Sequence, residues 1–164
     1  MRAADLPGIV QAVRAPLQHF VRESRVRVAL LISSSGQVIA QHGFTKSYEI
    51  VNVATLAAAV NAAAGSLAQL TGAERWSYLH QAGRNQHLFL APVRLPASEL
   101  IMVAIFDGAS SLGLTQFFFD RFSEELRQLG VFGRTVPTQN AATFEKDLET
   151  AIRIFLSRDE SGDD

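Results

Sequence analysis

The chain lacks cysteine, with none among its 164 residues. That absence excludes disulfides, zinc–thiolate sites and thiol nucleophiles, and nothing argues for an oxidising compartment. An excess of either charge is also missing, since 15 basic residues stand against 16 acidic ones and give a net charge of −1. Such a balance does not favour a polyanionic partner such as nucleic acid. The length and the 48% hydrophobic content indicate one compact domain with a sizeable core.

Recognisable catalytic and metal-binding motifs are missing as well. The four histidines are scattered, without the i, i+4 spacing of a helical metal site and without a nearby carboxylate cluster. The sequence "SSSG" is too short for a phosphate-binding loop and lacks its lysine, and "GASSLG" does not supply the G-x-S-x-G pattern of a nucleophile elbow. We therefore predict no catalytic residue, no metal and no cofactor.

Charge is absent from one long stretch, because no charged residue lies between Glu49 and Glu74. This stretch contains "ATLAAAVNAAAGSLAQL", Ala54 to Leu70, which reads as a helix. Polar residues interrupt it and alanine is only weakly apolar, so we do not expect it to span a membrane. The N-terminus "MRAADLPGIV" has no long apolar core, which makes a secretory signal unexpected and the cytoplasm the predicted location.

Hydrophobic periodicity and turn residues predict an α+β fold with a five-stranded antiparallel sheet. The predicted order is helix-strand-strand-helix-strand-strand-strand-helix. Pro16 lies inside the first helical pattern, so we expect that helix to be kinked or split. The other predicted elements are a hairpin formed by Val26–Ile32 and "QVIA", a helix near Val51–Thr71, strands at Arg75–Gly83, Asn85–Leu95 and Glu99–Phe106, and a helix from about Leu112 capped by Ser110 or Ser111.

The C-terminal part of the chain differs in composition. We assign residues 1–135 to the folded domain, and residues 136–164 to a linker, a short amphipathic helix and a disordered acidic tail. Phe144 and Leu148 lie on the apolar side of that short helix. The pattern fits packing on its own domain and contact with a partner equally well.

The uncharged helix carries two different stripes when it is wound at about 100° per residue. Large residues form one stripe, which we expect to pack on the domain's own sheet: Leu56, Val60, Ala63, Leu67 and Leu70. Small residues form the other, to which a foreign backbone could come close: Thr55, Ala58, Ala59, Ala62 and Ser66. An exposed face without charge usually marks a partner. The occupant is either a second copy of the chain or a different protein.

Three segments resemble the roadblock / dynein light chain family, and especially its bacterial MglB-type regulators. They are "ALLISSSGQVIA" (Ala29–Ala40), "ATLAAAVNAAAGSLAQLTG" (Ala54–Gly72) and "VAIFDGASSLGL" (Val103–Leu114). The resemblance implies a roadblock/profilin-like homodimer whose sheets and second helices meet at the two-fold axis. It also implies that the paired helices offer a platform to a Ras-like small GTPase, MglA, through the small-residue stripe.

The function implied by this resemblance is non-enzymatic stimulation of GTP hydrolysis by that GTPase. Some activating proteins insert an arginine, called an arginine finger, into the active site of the GTPase. Arg75, Arg84 and Arg94 lie near exposed strands and loops, but no feature of the sequence gives any of them this role, and the resemblance points away from it. The alternative is a dimeric scaffold that binds a GTPase or motor component without changing its chemistry. A small-ligand sensor is disfavoured, because the strands supply mostly aliphatic residues and no convergent polar set.

Overall fold

The computed structural model describes residues 6–132 and confirms the predicted α+β architecture. Three helices accompany one five-stranded sheet in the predicted order. Short 3₁₀ turns at Thr45–Ser47 and Gly130–Phe132 complete the described part. The elements are α1 Leu6–Ser24, β1 Val28–Ser33, β2 Val38–Gly43, α2 Ile50–Leu70, β3 Leu79–Ala82, β4 His87–Arg94, β5 Glu99–Phe106 and α3 Leu112–Gln128.

The sheet is antiparallel throughout and has the strand order β2-β1-β5-β4-β3. Strand β5 lies at its centre between β1 and β4, which fits its almost wholly apolar sequence "ELIMVAIF". Strands β2 and β3 form the two edges. The order places the β1–β2 hairpin at one side of the sheet and β3 at the other.

Both faces of the sheet are covered, because alternate residues of each strand point to opposite sides. One face packs against α1 and α3 and includes Leu31 and Phe89. The other face packs against α2 and includes Leu30 and Leu90. The hydrophobic core therefore consists of two layers, one on each side of the sheet.

Helix α1 is one continuous helix from Leu6 to Ser24. Of the two expected outcomes at Pro16, the split is wrong, and the kink stays a prediction. An internal proline removes one backbone hydrogen bond and crowds the preceding turn. Here the proline is buried, and apolar residues before and after it pack into the same core, among them Val13 and Phe20. Tertiary packing on both sides of Pro16 keeps the helix continuous despite the local cost.

Strand β3 is shorter than expected, since only Leu79–Ala82 pairs with β4. The preceding residues run as a loop, in which the carbonyl of Trp76 accepts a hydrogen bond from Arg94. Pro92 lies within β4 opposite Ile101 of β5, beyond the point where β3 pairs. Among the described residues, β3 does not pair with this part of β4, which therefore has a neighbouring strand on one side only, a position where proline is tolerated.

Helix α3 begins as the sequence predicts. The Ser111 side chain accepts a hydrogen bond from the Leu114 N–H at 3.1 Å and so caps the helix. Phe144 and Leu148, and the proposed domain boundary at residue 135, lie outside the described residues and stay predictions.

Candidate functional site: the outer surface of helix α2

Helix α2 rests on the sheet through its smallest residues. Ala54, Ala57 and Ala58 are buried against strand residues such as Leu30 and Val103. The strands already supply bulky aliphatic side chains, so a close approach of the helix leaves room for little more than methyl groups. The inner face of α2 is therefore its small face.

The turn of the β1–β2 hairpin closes over one side of this contact. Gly36 has a φ of +85°, and a Cβ there would lie 3.2 Å from the Thr55 Cα and 3.5 Å from the Ala58 Cβ. Only glycine combines that backbone conformation with so close an approach. The hairpin turn thus covers Ala58 and lies next to Thr55.

The expected packing of the large stripe is wrong, because these residues point away from the sheet. Leu56 is 67% exposed, Val60 45%, Leu67 62% and Leu70 85%, and Ala63 is exposed as well. Helical spacing shows that they share one side, but it does not show which side faces the core. Large apolar residues are buried more often than small ones in most helices, whereas the close helix–sheet contact here buries the smallest ones.

The small-residue stripe is only partly available to a partner. Ala58 is 7% exposed beneath the hairpin turn, so its expected place on a contact surface is wrong. The other four residues are exposed, and we call them the small strip: Thr55, Ala59, Ala62 and Ser66. Thr55 and Ser66 donate their hydroxyls to the carbonyls of Val51 and Ala62, at 2.9 and 3.2 Å. The strip is therefore smooth, with its hydroxyl donors already satisfied.

We call the exposed large residues Leu56, Val60, Leu67 and Leu70 the aliphatic strip. The hairpin turn contacts α2 near Thr55 and Ala58, so that flank of the helix faces the β1–β2 side of the sheet. At about 100° per residue, the aliphatic strip falls on the opposite flank of the helix. The two strips thus adjoin on one helix surface but face different sides of the domain.

Strand β3 extends this apolar surface. Leu79 pairs with Leu90, whose side chain lies beneath α2, so Leu79 occupies the same sheet face; it is 38% exposed. The outer edge of β3 has no partner strand in the described part of the chain. Exposed strand edges and contiguous apolar surface both favour association with another chain.

The ion pairs of the described residues lie at strand ends and on α1 and α3, and none involves α2. Arg27 donates to the Asp107 carboxylate at 2.9 Å, and its guanidinium lies 5.6 Å from the Phe44 ring centroid. The hydrogen bond and charge of Asp107 raise the pKa of Arg27. The pKa of Asp107 is lowered, first by the hydrogen bond from the Ala109 N–H and then by that from Arg27. These contacts tie β1, β5 and the loop before α2 together.

The three arginines considered as fingers have different surroundings. Arg94 donates to the Trp76 carbonyl at 2.8 Å and lies 3.7 Å from the Glu99 carboxylate, so it is engaged within its own domain. Arg75 and Arg84 are exposed. Among residues 6–132, no group of three or more histidine, aspartate or glutamate side chains is arranged to hold a metal ion.

The Roadblock/LC7 domain matches residues 15–106, which is more than half of the chain. The chain belongs to the roadblock/LC7 family. This confirms the resemblance, and the matched region contains the whole of α2 and all five strands. No curated protein matches the sequence.

Solved MglB structures resemble this roadblock domain. MglB of Myxococcus xanthus is 28% identical with a TM-score of 0.65, and the match covers 71% of this chain and 92% of that one. The gliding protein MglB of Thermus thermophilus is 26% identical with a TM-score of 0.66, covering 81% and 94%. A further MglB, described with a tetrameric arrangement, is 25% identical with a TM-score of 0.63, covering 81% and 93%. The MglB-type resemblance is thus confirmed.

Helix α2 of this roadblock protein is the one helix within residues 6–132 that is long and apolar enough for a membrane span. Its mean hydropathy reaches 1.6, but length and composition alone are weak evidence. Its inner face packs on the sheet, with Ala54 and Ala57 in the core. The structure therefore places α2 as a layer of the domain.

Proposed function

We propose that this protein is an MglB-type regulator that binds a Ras-like small GTPase and stimulates its GTP hydrolysis. The observation that carries the proposal is the uncharged outer surface of α2, where a smooth strip adjoins an aliphatic one. Similarity to MglB supports the choice of partner. The protein itself is proposed to be non-enzymatic and to act in the cytoplasm.

The aliphatic strip is proposed to join two copies of the chain. A second copy that adds its β3 to the free edge of this β3 would bring its own aliphatic strip toward the first. Such a contact is isologous, because the same residues serve on both sides of a two-fold axis. It would cover Leu56, Val60, Leu67 and Leu79, which an isolated chain leaves exposed.

The small strip is proposed to receive the GTPase. It lies on the flank of α2 away from β3, so dimerisation would leave it free on both copies. Its short side chains let a partner backbone come close and lose little conformational entropy on binding. The four residues proposed to make this contact are Thr55, Ala59, Ala62 and Ser66.

The proposed mechanism is indirect. Phosphoryl transfer needs a positioned water, magnesium and positive charge at the γ-phosphate. The strip offers no cation, and Arg94 is engaged elsewhere. The dimer would instead bind the switch regions and favour the arrangement in which the GTPase's own residues catalyse hydrolysis.

Three matched arginine substitutions test this arrangement. Ala62→Arg places a long cation on the small strip and should abolish stimulation while leaving the fold and the dimer intact. Ala63→Arg, one residue along the helix, lies beside the aliphatic strip and should weaken the dimer. Ala73→Arg, at an exposed position beyond α2, serves as the neutral control. The readouts are GTP hydrolysis by the Ras-like GTPase from the same cell and the mass of the protein in solution.

The outcomes are distinct. An unchanged hydrolysis rate with Ala62→Arg would remove the small strip from the proposal. Loss of the dimer with Ala62→Arg would assign this strip to the homodimer contact instead. Binding without stimulation by the unsubstituted protein would support the alternative, a dimeric scaffold.

The C-terminal segment is proposed as a second contact with the GTPase through Phe144 and Leu148. Both residues lie outside the described part of the chain, so the proposal rests on the amphipathic spacing alone. Deleting the residues after Val136 and measuring nucleotide release from the GTPase, beside the full-length protein, tests it. Equal release rates would contradict it.

A further inference from the structure

Two histidines on neighbouring strands of one hairpin meet near the edge of the sheet. His80 of β3 and His87 of β4 approach with 3.1 Å between Nε2 and Nδ1, which is hydrogen-bond distance. Their rings lie 5.2 Å apart, and both stack with the ring of Phe106, at 5.9 and 5.0 Å. Sequence spacing did not reveal this pair, because it is formed across two strands.

This hydrogen bond requires at least one neutral ring. A neutral imidazole has one donor and one acceptor nitrogen, whereas a protonated imidazole has two donors and no acceptor. If both rings are protonated, the bond is lost and two like charges face each other at the same short distance. Histidine is the side chain whose ordinary titration falls between about pH 5 and 8.

Compensating charge is scarce around the pair. In the described residues no carboxylate lies within 4.0 Å of either imidazole. The charged groups on surrounding elements are Arg84 in the β3–β4 turn, Asp107 after Phe106, and the exposed Asp120 beside Phe119, through which α3 packs on β4. Asp107 is already paired with Arg27, and Arg84 adds positive charge.

The strand that carries His80 has few other contacts to hold it. Strand β3 has only four residues, three of them exposed, and it pairs on one side only. Loss of the His80–His87 hydrogen bond and repulsion between the two rings would therefore act on β3, a weakly attached strand. Such elements open before the rest of a domain unfolds. Four residues of backbone pairing, the stacking of His80 on Phe106 and the stacking of Tyr78 on Phe89 oppose this opening.

We propose that the His80–His87 pair makes the attachment of β3 sensitive to acidification, and that self-association through this edge weakens with it. The second part rests on the proposed homodimer. While at least one ring is neutral, the hydrogen bond between the two imidazoles fastens β3 to β4. Protonation of both rings breaks this hydrogen bond and places two like charges against each other, which loosens β3 and removes the surface that a second copy needs.

Amide hydrogen exchange of the full chain at pH 7.5 and 5.5 tests the first part, after correction for the intrinsic pH dependence of exchange. We expect the β3 amides to lose protection about tenfold more than those of β5, which corresponds to one lost hydrogen bond plus repulsion. A double variant, His80→Phe with His87→Phe, keeps the ring stack without a titrating group and should show no such difference.

Single histidine substitutions provide a second test and its controls. His80→Gln alone prevents double protonation and should also abolish the extra loss of protection in β3. The proposal can therefore be tested even if the double variant folds poorly. His19→Gln and His42→Gln are controls that should retain it. A tenfold loss that persists in the His80 variants, or that disappears in the controls, overturns the proposal.

Sedimentation at both pH values separates this inference from the proposed homodimer. A dimer at pH 7.5 that dissociates at pH 5.5, and does not do so in His80→Gln, supports the whole proposal. A monomer at both pH values contradicts the homodimer, while the exchange data still decide the behaviour of β3. A dimer equally stable at both pH values overturns the link to self-association.

Discussion

Leu67→Ala distinguishes an outward-facing aliphatic strip from one packed on the sheet. The Leu67 side chain is 62% exposed in the single chain, so its truncation should change the free energy of unfolding of the monomer by less than about 0.5 kcal/mol. A leucine packed in the core would cost about 2–5 kcal/mol. Chemical denaturation at low protein concentration measures this difference.

The same substitution should weaken the dimer. Burying a leucine side chain fully is worth about 1.5–3 kcal/mol, and roughly three fifths of this one remains to be buried. Alanine keeps one methyl group, so the loss is about 1 kcal/mol per copy. A two-fold contact counts it twice, which gives about 2 kcal/mol, or a roughly 30-fold higher dissociation constant.

Analytical ultracentrifugation over a range of protein concentrations measures that constant. Gln69→Ala is a suitable control, because Gln69 is also exposed on α2 but lies outside both strips. An unchanged dissociation constant for Leu67→Ala would refute the role of the aliphatic strip. A loss of more than 2 kcal/mol in monomer stability would refute its outward orientation.

Three further predictions concern the elements that position α2. Gly36→Ala should destabilise the fold by about 1–2 kcal/mol in thermal denaturation, because Gly36 has a positive φ and lies close to α2. Gly113→Ala is the control: it lies in α3, where an added Cβ would meet no atom within 4 Å, so it should stabilise the fold by up to about 1 kcal/mol. Ala58→Arg should prevent folding, as judged by circular dichroism, in contrast to Ala62→Arg, because Ala58 lies beneath the hairpin turn. The pKa of Asp107 is lowered, so its contribution to stability is present above its unfolded-state pKa of about 4 and is lost as the pH falls through the folded-state value. Asp107→Asn should therefore flatten the acid side of the stability profile below about pH 4. An unchanged profile would contradict the lowered pKa that the Ala109 N–H and Arg27 produce.

Much of the fold could be predicted from local patterns. The run "ELIMVAIF" indicated a buried central strand, and the structure places β5 there. Turn residues separated the strands correctly, with Gly72 adopting a φ of +73° after α2 as a helix stop requires. The uncharged stretch between Glu49 and Glu74 indicated one long helix, and the structure has α2 at Ile50–Leu70.

The orientation of that surface was decided by tertiary structure. Helical spacing grouped Leu56, Val60 and Leu67 on one side of α2. Spacing alone does not tell whether that side is buried or exposed. The decisive quantity was the distance between helix and sheet, which depends on the strand side chains beneath α2 and on the hairpin turn at Gly36. Neither is a local property of the helix sequence.

By itself, the sequence determined the type and order of the elements, because backbone propensity, hydrophobic period and turn chemistry act between near neighbours. Only the tertiary structure decided that the alanines of α2 are buried and its leucines exposed, that Ala58 is unavailable to a partner, and that His80 meets His87. The burial of the alanines and of Ala58 depends on how closely α2 packs on strands and on a turn elsewhere in the chain, where space in a close-packed interior is limited. The histidine contact depends on the pairing register of β3 with β4, which hydrophobic spacing does not reveal.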